Sequence, residues 1–210
     1  MNRTENLITP PIQRNLVLGS TSRYRRELLS RLTVAFDVAA PDIDETPLVG
    51  EAPRATAMRL ALAKAHAVAQ RFPKAIVIGS DQVADLNGLP LGKPGTHDRA
   101  VEQLRMMRGK TVIFQTAVAV VCSETGFAQS DLAAVTVRFR DLSDEQIEHY
   151  LHAEQPYDCA GSAKSEGLGI ALLAAIDSDD PTALIGLPLI RTCTLLNAAG
   201  FHILSTKGAV

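Results

Sequence analysis

The run Ala75-Ile76-Val77-Ile78 is apolar at every position. A strand with one face in water alternates apolar and polar residues, so a run with no polar face needs cover on both sides. That requirement points to an interior strand of a helix-covered α/β sheet. Gly79-Ser80-Asp81-Gln82 follows directly. Ligands of α/β sheets bind beyond the carboxyl ends of strands, so Asp81, at the end of this short strand, stands where function gathers.

The flanking segments alternate between strand and helix, as an α/β class requires. Leu16 to Gly19 reads as a first strand, and Ser20-Thr21-Ser22 opens a helix to about Leu32 with Arg25 and Arg26 near its start. Val34 to Ala39 is predicted as a second strand. A helix begins near Pro53, a residue suited to a first helical turn, and carries Lys64 among Met58, Leu60, Ala61, Leu62, Ala65 and Val68. Asn87-Gly88 predicts a tight hairpin turn leading to Gly92-Lys93-Pro94. Thr96 reads as the N-cap of a helix through Met107, closed by Gly109. Thr111 to Cys122 and Phe127 to Phe139 predict a long antiparallel pair. Ser143 caps a helix through Ala153. A glycine-rich stretch, Ala160 to Gly169, leads to a strand over Ile170 to Ile176, and Pro188 to Ala199 forms a last helix. There is no internal repeat and no linker. One domain is expected over residues 15–210, behind a loose polar tail, 1–14, that lacks the apolar core of a signal peptide.

Charge and cysteine content narrow the function. The net charge of −2 gives no electrostatic footprint for nucleic acid or an anionic membrane. No segment is long and apolar enough to span a bilayer. Cys122, Cys159 and Cys193 are odd in number and widely spaced, which argues against a disulfide framework or a cysteine zinc site and for a reducing cytoplasm. Each reads as a small buried hydrophobe, and Cys159 has no adjacent histidine to make it a nucleophile. The five histidines show no paired metal spacing.

Several stretches carry groups suited to a phosphorylated ligand. Ser20-Thr21-Ser22 combines hydroxyls with a helix start, where backbone N–H groups and the dipole favour anions, and Arg25 and Arg26 add donors. Asp42-Ile43-Asp44-Glu45 is either a solvated acidic turn or a holder of Mg²⁺ or Mn²⁺. Lys64 either reaches a phosphate or snorkels at the rim of its helix. Asp81 is a functional carboxylate or a turn residue. Lys93 is held between Gly92 and Pro94. Lys164 lies in the Gly161 to Gly169 stretch, which lacks Walker spacing and reads as a surface loop.

Taken in order, Gly19-Ser20-Thr21-Ser22 with Arg25-Arg26, Asp42-Ile43-Asp44-Glu45, Leu62-Ala63-Lys64-Ala65, Gly79-Ser80-Asp81-Gln82, Gly92-Lys93-Pro94, Cys159-Ala160-Gly161-Ser162 through Gly169, and Leu184-Ile185-Gly186-Leu187-Pro188 resemble the motifs of the Maf-like nucleoside triphosphate pyrophosphatases. Tyr24 before the paired arginines, Gln82, and Ser165-Glu166-Gly167 look closest to the branch acting on 7-methyl-GTP. The resemblance implies a bent mixed central sheet flanked by helices, two lobes around a cleft, a divalent cation (Mg²⁺ or Mn²⁺) and commonly a homodimer. It implies that the α–β phosphoanhydride of a nucleoside triphosphate is split, clearing modified nucleotides. Asp81 falls on the family's proton acceptor, as base or metal ligand, with Glu45 as a metal partner. Arg25, Arg26, Lys64, Lys93 and Lys164 would meet the triphosphate with Ser20, while Tyr24, Gln82 and Glu166 select the base. Two other readings are a dTTP/UTP pyrophosphatase of the same family and a nucleotide-binding regulator of septum formation.

Overall fold

The computed structural model describes residues 14–204, so nearly all of the predicted tail lies outside the described residues. The elements run β1 (Leu16–Gly19), α1 (Arg23–Ser30), β2 (Asp37–Val38), α2 (Pro53–Arg71), β3 (Ile76–Leu86), β4 (Leu89–Leu91), α3 (His97–Met107), β5 (Thr111–Cys122), β6 (Phe127–Phe139), α4 (Asp144–Glu154), β7 (Leu173–Asp177) and α5 (Leu189–Ala198). The class is α/β. One mixed sheet has the order β2-β1-β3-β5-β6-β7, with β4 paired to β3. β1 is parallel to β2 and β3, whereas β3, β5, β6 and β7 are successively antiparallel.

The sequence signals for element ends are the ones in use. Ser22, Thr96 and Ser143 cap α1, α3 and α4 with side-chain oxygens, and Ser143 forms a full capping box with Gln146. Asn87 and Gly88 both have positive φ, at 54° and 88°, as a two-residue hairpin turn needs. The second strand is shorter than expected, and the last begins at Leu173, because Leu168–Leu172 forms a 3-10 turn.

β3 differs most from expectation. It is an 11-residue strand, so Asp81 lies mid-strand rather than at a strand end. Its parallel neighbour β1 stops at Gly19, paired with Gly79, while β3 continues against β5 as far as Asp85. Asp81 therefore sits just past the end of the parallel half of the sheet, where the withdrawal of one neighbour leaves an opening. Alternation sends Val77, Gly79, Asp81 and Val83 towards α2, and Ile78, Ser80 and Gln82 to the opposite face.

The core follows the same division. Val77 and Val83 pack with Val17, Ala57, Ala61, Ala65 and Val68 under α2. Ile76 and Ile78 pack with Leu28, Leu29, Leu195 and Leu196 from α1 and α5 on the other face. A third cluster, built on Phe114, Leu104, Met107, Ile147 and Leu151, joins α3 and α4 to the antiparallel half. The cleft opens between the parallel half and this second lobe.

Candidate active site

The approach of α2 to β3 sets the site. A Cβ on Gly79 would lie 2.3 Å from the Ala61 carbonyl oxygen and 2.6 Å from the Ala65 backbone nitrogen. Glycine opposite alanines thus lets the helix backbone rest directly on the strand. Lys64, on the turn between those alanines, is carried over the sheet. It is 4% exposed and Asp81 6% exposed, so this is a buried contact and not a snorkelling lysine. Lys64 Nζ donates to Asp81 Oδ1 at 2.7 Å and to Glu45 Oε2 at 2.6 Å. The ammonium is held between the two carboxylates expected to bind a metal.

The acidic loop that brings Glu45 here is pinned from behind. Arg59 donates to both Glu51 oxygens, at 2.6 and 2.7 Å, and to the Thr46 carbonyl. Glu51 also accepts from Thr56 Oγ1 and the Leu48 N–H. The Arg59 hydrogen bonds, with Leu48 and Thr56 assisting against desolvation, hold the Glu51 carboxyl down at about 2. Asp44 accepts from the Thr46 N–H. Asp42 pairs with Arg71 at 3.7 Å.

The cleft has a volume of about 820 Å³ and an evenly mixed lining. Ser20, Tyr24, Arg25, Glu45, Lys64, Asp81, Gln82, Lys93 and Glu166 all line it. Two expected residues do not. Arg26 turns outward to a separate shallow groove beside Ser30 and Phe36, because Leu28 and Leu29 must face the core and fix the rotation of α1. Lys164 pairs with Glu154 instead. Its segment is no phosphate loop. Glu154 accepts from the Lys164 ammonium and, at 2.7 Å, from the Leu168 N–H, while Ser162 Oγ donates to Gln103 at 2.6 Å. Folding around the Glu154 carboxylate leaves Glu166 at the cleft wall. Partial desolvation, reinforced by Glu154 and Glu27 against Lys164, raises the Glu166 pKa above its ordinary value.

The start of α1 offers fewer donors than its sequence suggests. Ser20 Oγ accepts from the Ser22 N–H at 3.1 Å, and Ser22 Oγ from the Arg25 N–H. Arg25 Nε donates to the Gly186 carbonyl at 2.8 Å, which turns the guanidinium into the cleft. Burial lowers its pKa, opposed by Asp81 and Glu45; a guanidinium stays charged through such a change. Lys93 is exposed at the rim and has no ion pair or hydrogen bond among the described residues.

The opposite face of β3 supplies polar readers. Ser80 Oγ lies within hydrogen-bond distance of the Ala117 and Gly186 carbonyls. Gln82 Nε2 donates among Thr116 Oγ1 at 2.9 Å and the Ala183 and Leu184 carbonyls at 3.0 Å. Thr116 gives its own proton to the Ala183 carbonyl. All three neighbours are acceptors, so the amide orientation is fixed by the network and Oε1 has no hydrogen bond among the described residues.

Sequence reasoning passed over Arg23 and Asp158. The Arg23 guanidinium lies 4.7 Å over the Tyr24 ring and donates to its hydroxyl at 2.6 Å, and that hydroxyl reaches Asp158 Oδ1 at 3.3 Å. The Arg23-Tyr24 adjacency was the available signal. Cys159 lies beside the same hydroxyl at 3.7 Å, and burial pushes its thiol up to about 12, which fits an inert side chain.

Oxygen ligands from Glu45 and Asp81, each with one oxygen uncommitted among the described residues, suit a hard divalent cation shared with phosphate oxygens. The pair already brackets a positive charge, so the donor set fits.

A family model described as Maf-like protein matches residues 15–199. The chain is 73% identical over 198 residues to a 7-methyl-GTP pyrophosphatase of Polaromonas sp. (strain JS666 / ATCC BAA-500), covering 94% of this chain and 90% of that one. It is 68% identical to a protein of the same name from Albidiferax ferrireducens, over 94% and 99% of the two chains. A third, from Methylobacillus flagellatus, is 59% identical over 90% and 98%.

Proposed function

This chain belongs to the Maf-like proteins, and from that membership we propose that it hydrolyses the α–β phosphoanhydride of 7-methyl-GTP, releasing 7-methyl-GMP and pyrophosphate. The observation that carries the reading is the buried Lys64–Asp81 contact in a cleft also lined by Arg25, Lys93, Tyr24, Gln82 and Glu166. Relatives at 58% to 73% identity bear the name of this activity.

Asp81 Oδ1 accepts from Lys64, while Oδ2 has no protein partner among the described residues. Oδ2 takes the proton as water attacks the α-phosphorus, and the bridging oxygen leaves with pyrophosphate. Lys64, Arg25 and Lys93 offset the charge that develops on the departing oxygens, with Ser20 beside them. A divalent cation (Mg²⁺ or Mn²⁺) held by Glu45, with Asp81 as its second ligand where it does not act as the base, would supply further charge neutralisation at the phosphates.

Methylation at N7 makes guanine cationic. Tyr24 can accept such a cation for about 0.5–2 kcal/mol in place of the Arg23 guanidinium that lies over its ring. Glu166 and Gln82 Oε1 offer acceptors to the N1 and amino donors that guanine alone presents together. A single catalytic domain from residue 15 onward, a cytoplasmic location and pairing of two chains complete the reading. They rest on the family resemblance, and no described helix is long and apolar enough to cross a membrane.

The test is a panel of 7-methyl-GTP, GTP, dTTP and UTP with pyrophosphate detection, run with and without Mg²⁺ and Mn²⁺. Preferential turnover of 7-methyl-GTP is expected. A preference for dTTP or UTP would refute the substrate assignment, and full activity in Asp81→Asn would refute the mechanism.

A further inference from the structure

We propose that His97, Glu148 and His152 form a second divalent-metal site, of zinc type, outside the nucleotide cleft. Their ligand atoms all lie within 4.8 Å of one another. Glu148 Oε2 is 2.7 Å from His97 Nε2 and 3.8 Å from His152 Nε2. Glu148 and His152 are four residues apart on α4 and share a face, while His97 opens α3. The two imidazoles stack, with centroids 4.9 Å apart and planes at 29°, and each has its Nε2 within 4 Å of the same Glu148 oxygen. Fifty-five positions separate the two histidines, which is why no metal spacing is visible in the sequence.

The hydrogen bonds behind His97 fix the position of its ring. Tyr157 Oη lies 3.0 Å from His97 Nδ1 and 3.4 Å from the Leu151 carbonyl. With its proton on the Leu151 carbonyl, the tyrosine oxygen accepts from His97 Nδ1–H, the tautomer that frees Nε2 to ligate. In the metal-free chain His97 Nε2 and Glu148 Oε2 are joined by a hydrogen bond at 2.7 Å, and a bound cation would take the place of that proton. Two imidazoles and one carboxylate, with the distal nitrogen of one histidine held by a further hydrogen bond, form a zinc-type set with an open fourth position. Tetrahedral ligands at zinc distances would stand about 3.3 Å apart. The observed 2.7 and 3.8 Å bracket that value, and binding would require the exposed His152 ring to turn out of its stack on His97. His152 is largely exposed and leaves an entry path.

None of the three residues lines the cleft, and the site does not depend on the reading given to it. It does touch the cleft wall. Tyr157 accepts from the Gly95 N–H through its carbonyl, and Asp158 and Cys159, which follow it, contact the Tyr24 hydroxyl. A bound ion would clamp α3, α4 and this loop together.

The experiment is a calorimetric titration of the metal-free full chain with Zn²⁺, in millimolar Mg²⁺ so that the cleft carboxylates meet a hard ion. One Zn²⁺ per chain is expected. His152→Ala, at an exposed position, and Glu148→Gln, at a half-buried one, should each weaken binding tenfold or more, and Tyr157→Phe about tenfold. Cys159→Ser and Asp81→Asn should bind as the parent does. X-ray absorption should report nitrogen and oxygen ligands at about 2.0–2.2 Å and no sulfur. Parent protein binding Zn²⁺ no tighter than about 0.1 mM, His152→Ala binding as tightly as the parent, or a sulfur ligand would each overturn the proposal.

Discussion

Replacing Gly79 with alanine tests how the fold makes the site. The added Cβ would stand 2.3 Å from the Ala61 carbonyl oxygen and 2.6 Å from the Ala65 nitrogen, both backbone atoms that cannot rotate away. α2 must then retreat by roughly 0.7–1 Å, and close packing on both sides transmits the shift. Overpacking of this kind costs about 1–3 kcal/mol, and a backbone clash belongs at the upper end. For a chain of this size, about 3 kcal/mol corresponds to a fall of roughly 6–12 °C in Tm. The same retreat draws Lys64 away from Asp81, now 2.7 Å distant. A misplacement of about 1 Å can cost on the order of 100-fold in rate. Pyrophosphate release below the Tm, alongside thermal unfolding, measures both effects. The second-site change Ala65→Gly should restore little, since the tightest clash is with the Ala61 carbonyl. Parental Tm and turnover in Gly79→Ala would refute the argument that this contact positions Lys64.

Asp81→Asn keeps the volume and a hydrogen-bond acceptor for Lys64, so turnover should vanish while stability falls by only about 1–3 kcal/mol and nucleotide still binds; equilibrium dialysis and urea unfolding check this. Glu154→Gln should raise KM for 7-methyl-GTP severalfold with a smaller change in kcat, because Glu154 shapes the loop presenting Glu166 and touches no cleft group; steady-state kinetics separates the two. Glu51 has its folded pKa depressed from 4.5 to about 2, so its contribution to stability is complete above about 4.5 and is lost as pH falls towards 2. Urea unfolding from pH 5 to 2 should show a shallower acid loss in Glu51→Gln than in the parent. The Cys159 thiol, pushed up to about 12, should resist iodoacetamide at pH 8 in the folded chain and react once unfolded, as mass spectrometry can score.

The places of the strands, though not the extents of β2, β3 and β7, were legible along the chain, as were the caps at Ser22, Thr96 and Ser143, the Asn87-Gly88 turn and the residue types suited to phosphate. These signals are local: apolar runs, β-branching and side chains that satisfy helix ends act within a few residues. What a charged side chain faces is decided by packing between distant segments. Lys64 meets Asp81 and Glu45 because glycine opposite alanine seats α2 on β3. Arg26 faces outward because two leucines fix the rotation of α1. Lys164 is claimed by Glu154, ten residues earlier in the chain but one turn of packing away. Gln82 is held amide-nitrogen inward only because carbonyls a hundred residues later take its nitrogen. The sequence by itself determined the α/β class and the inventory of chemical groups. The tertiary structure alone decided which of them share the cleft, since that depends on long-range contacts no local pattern encodes.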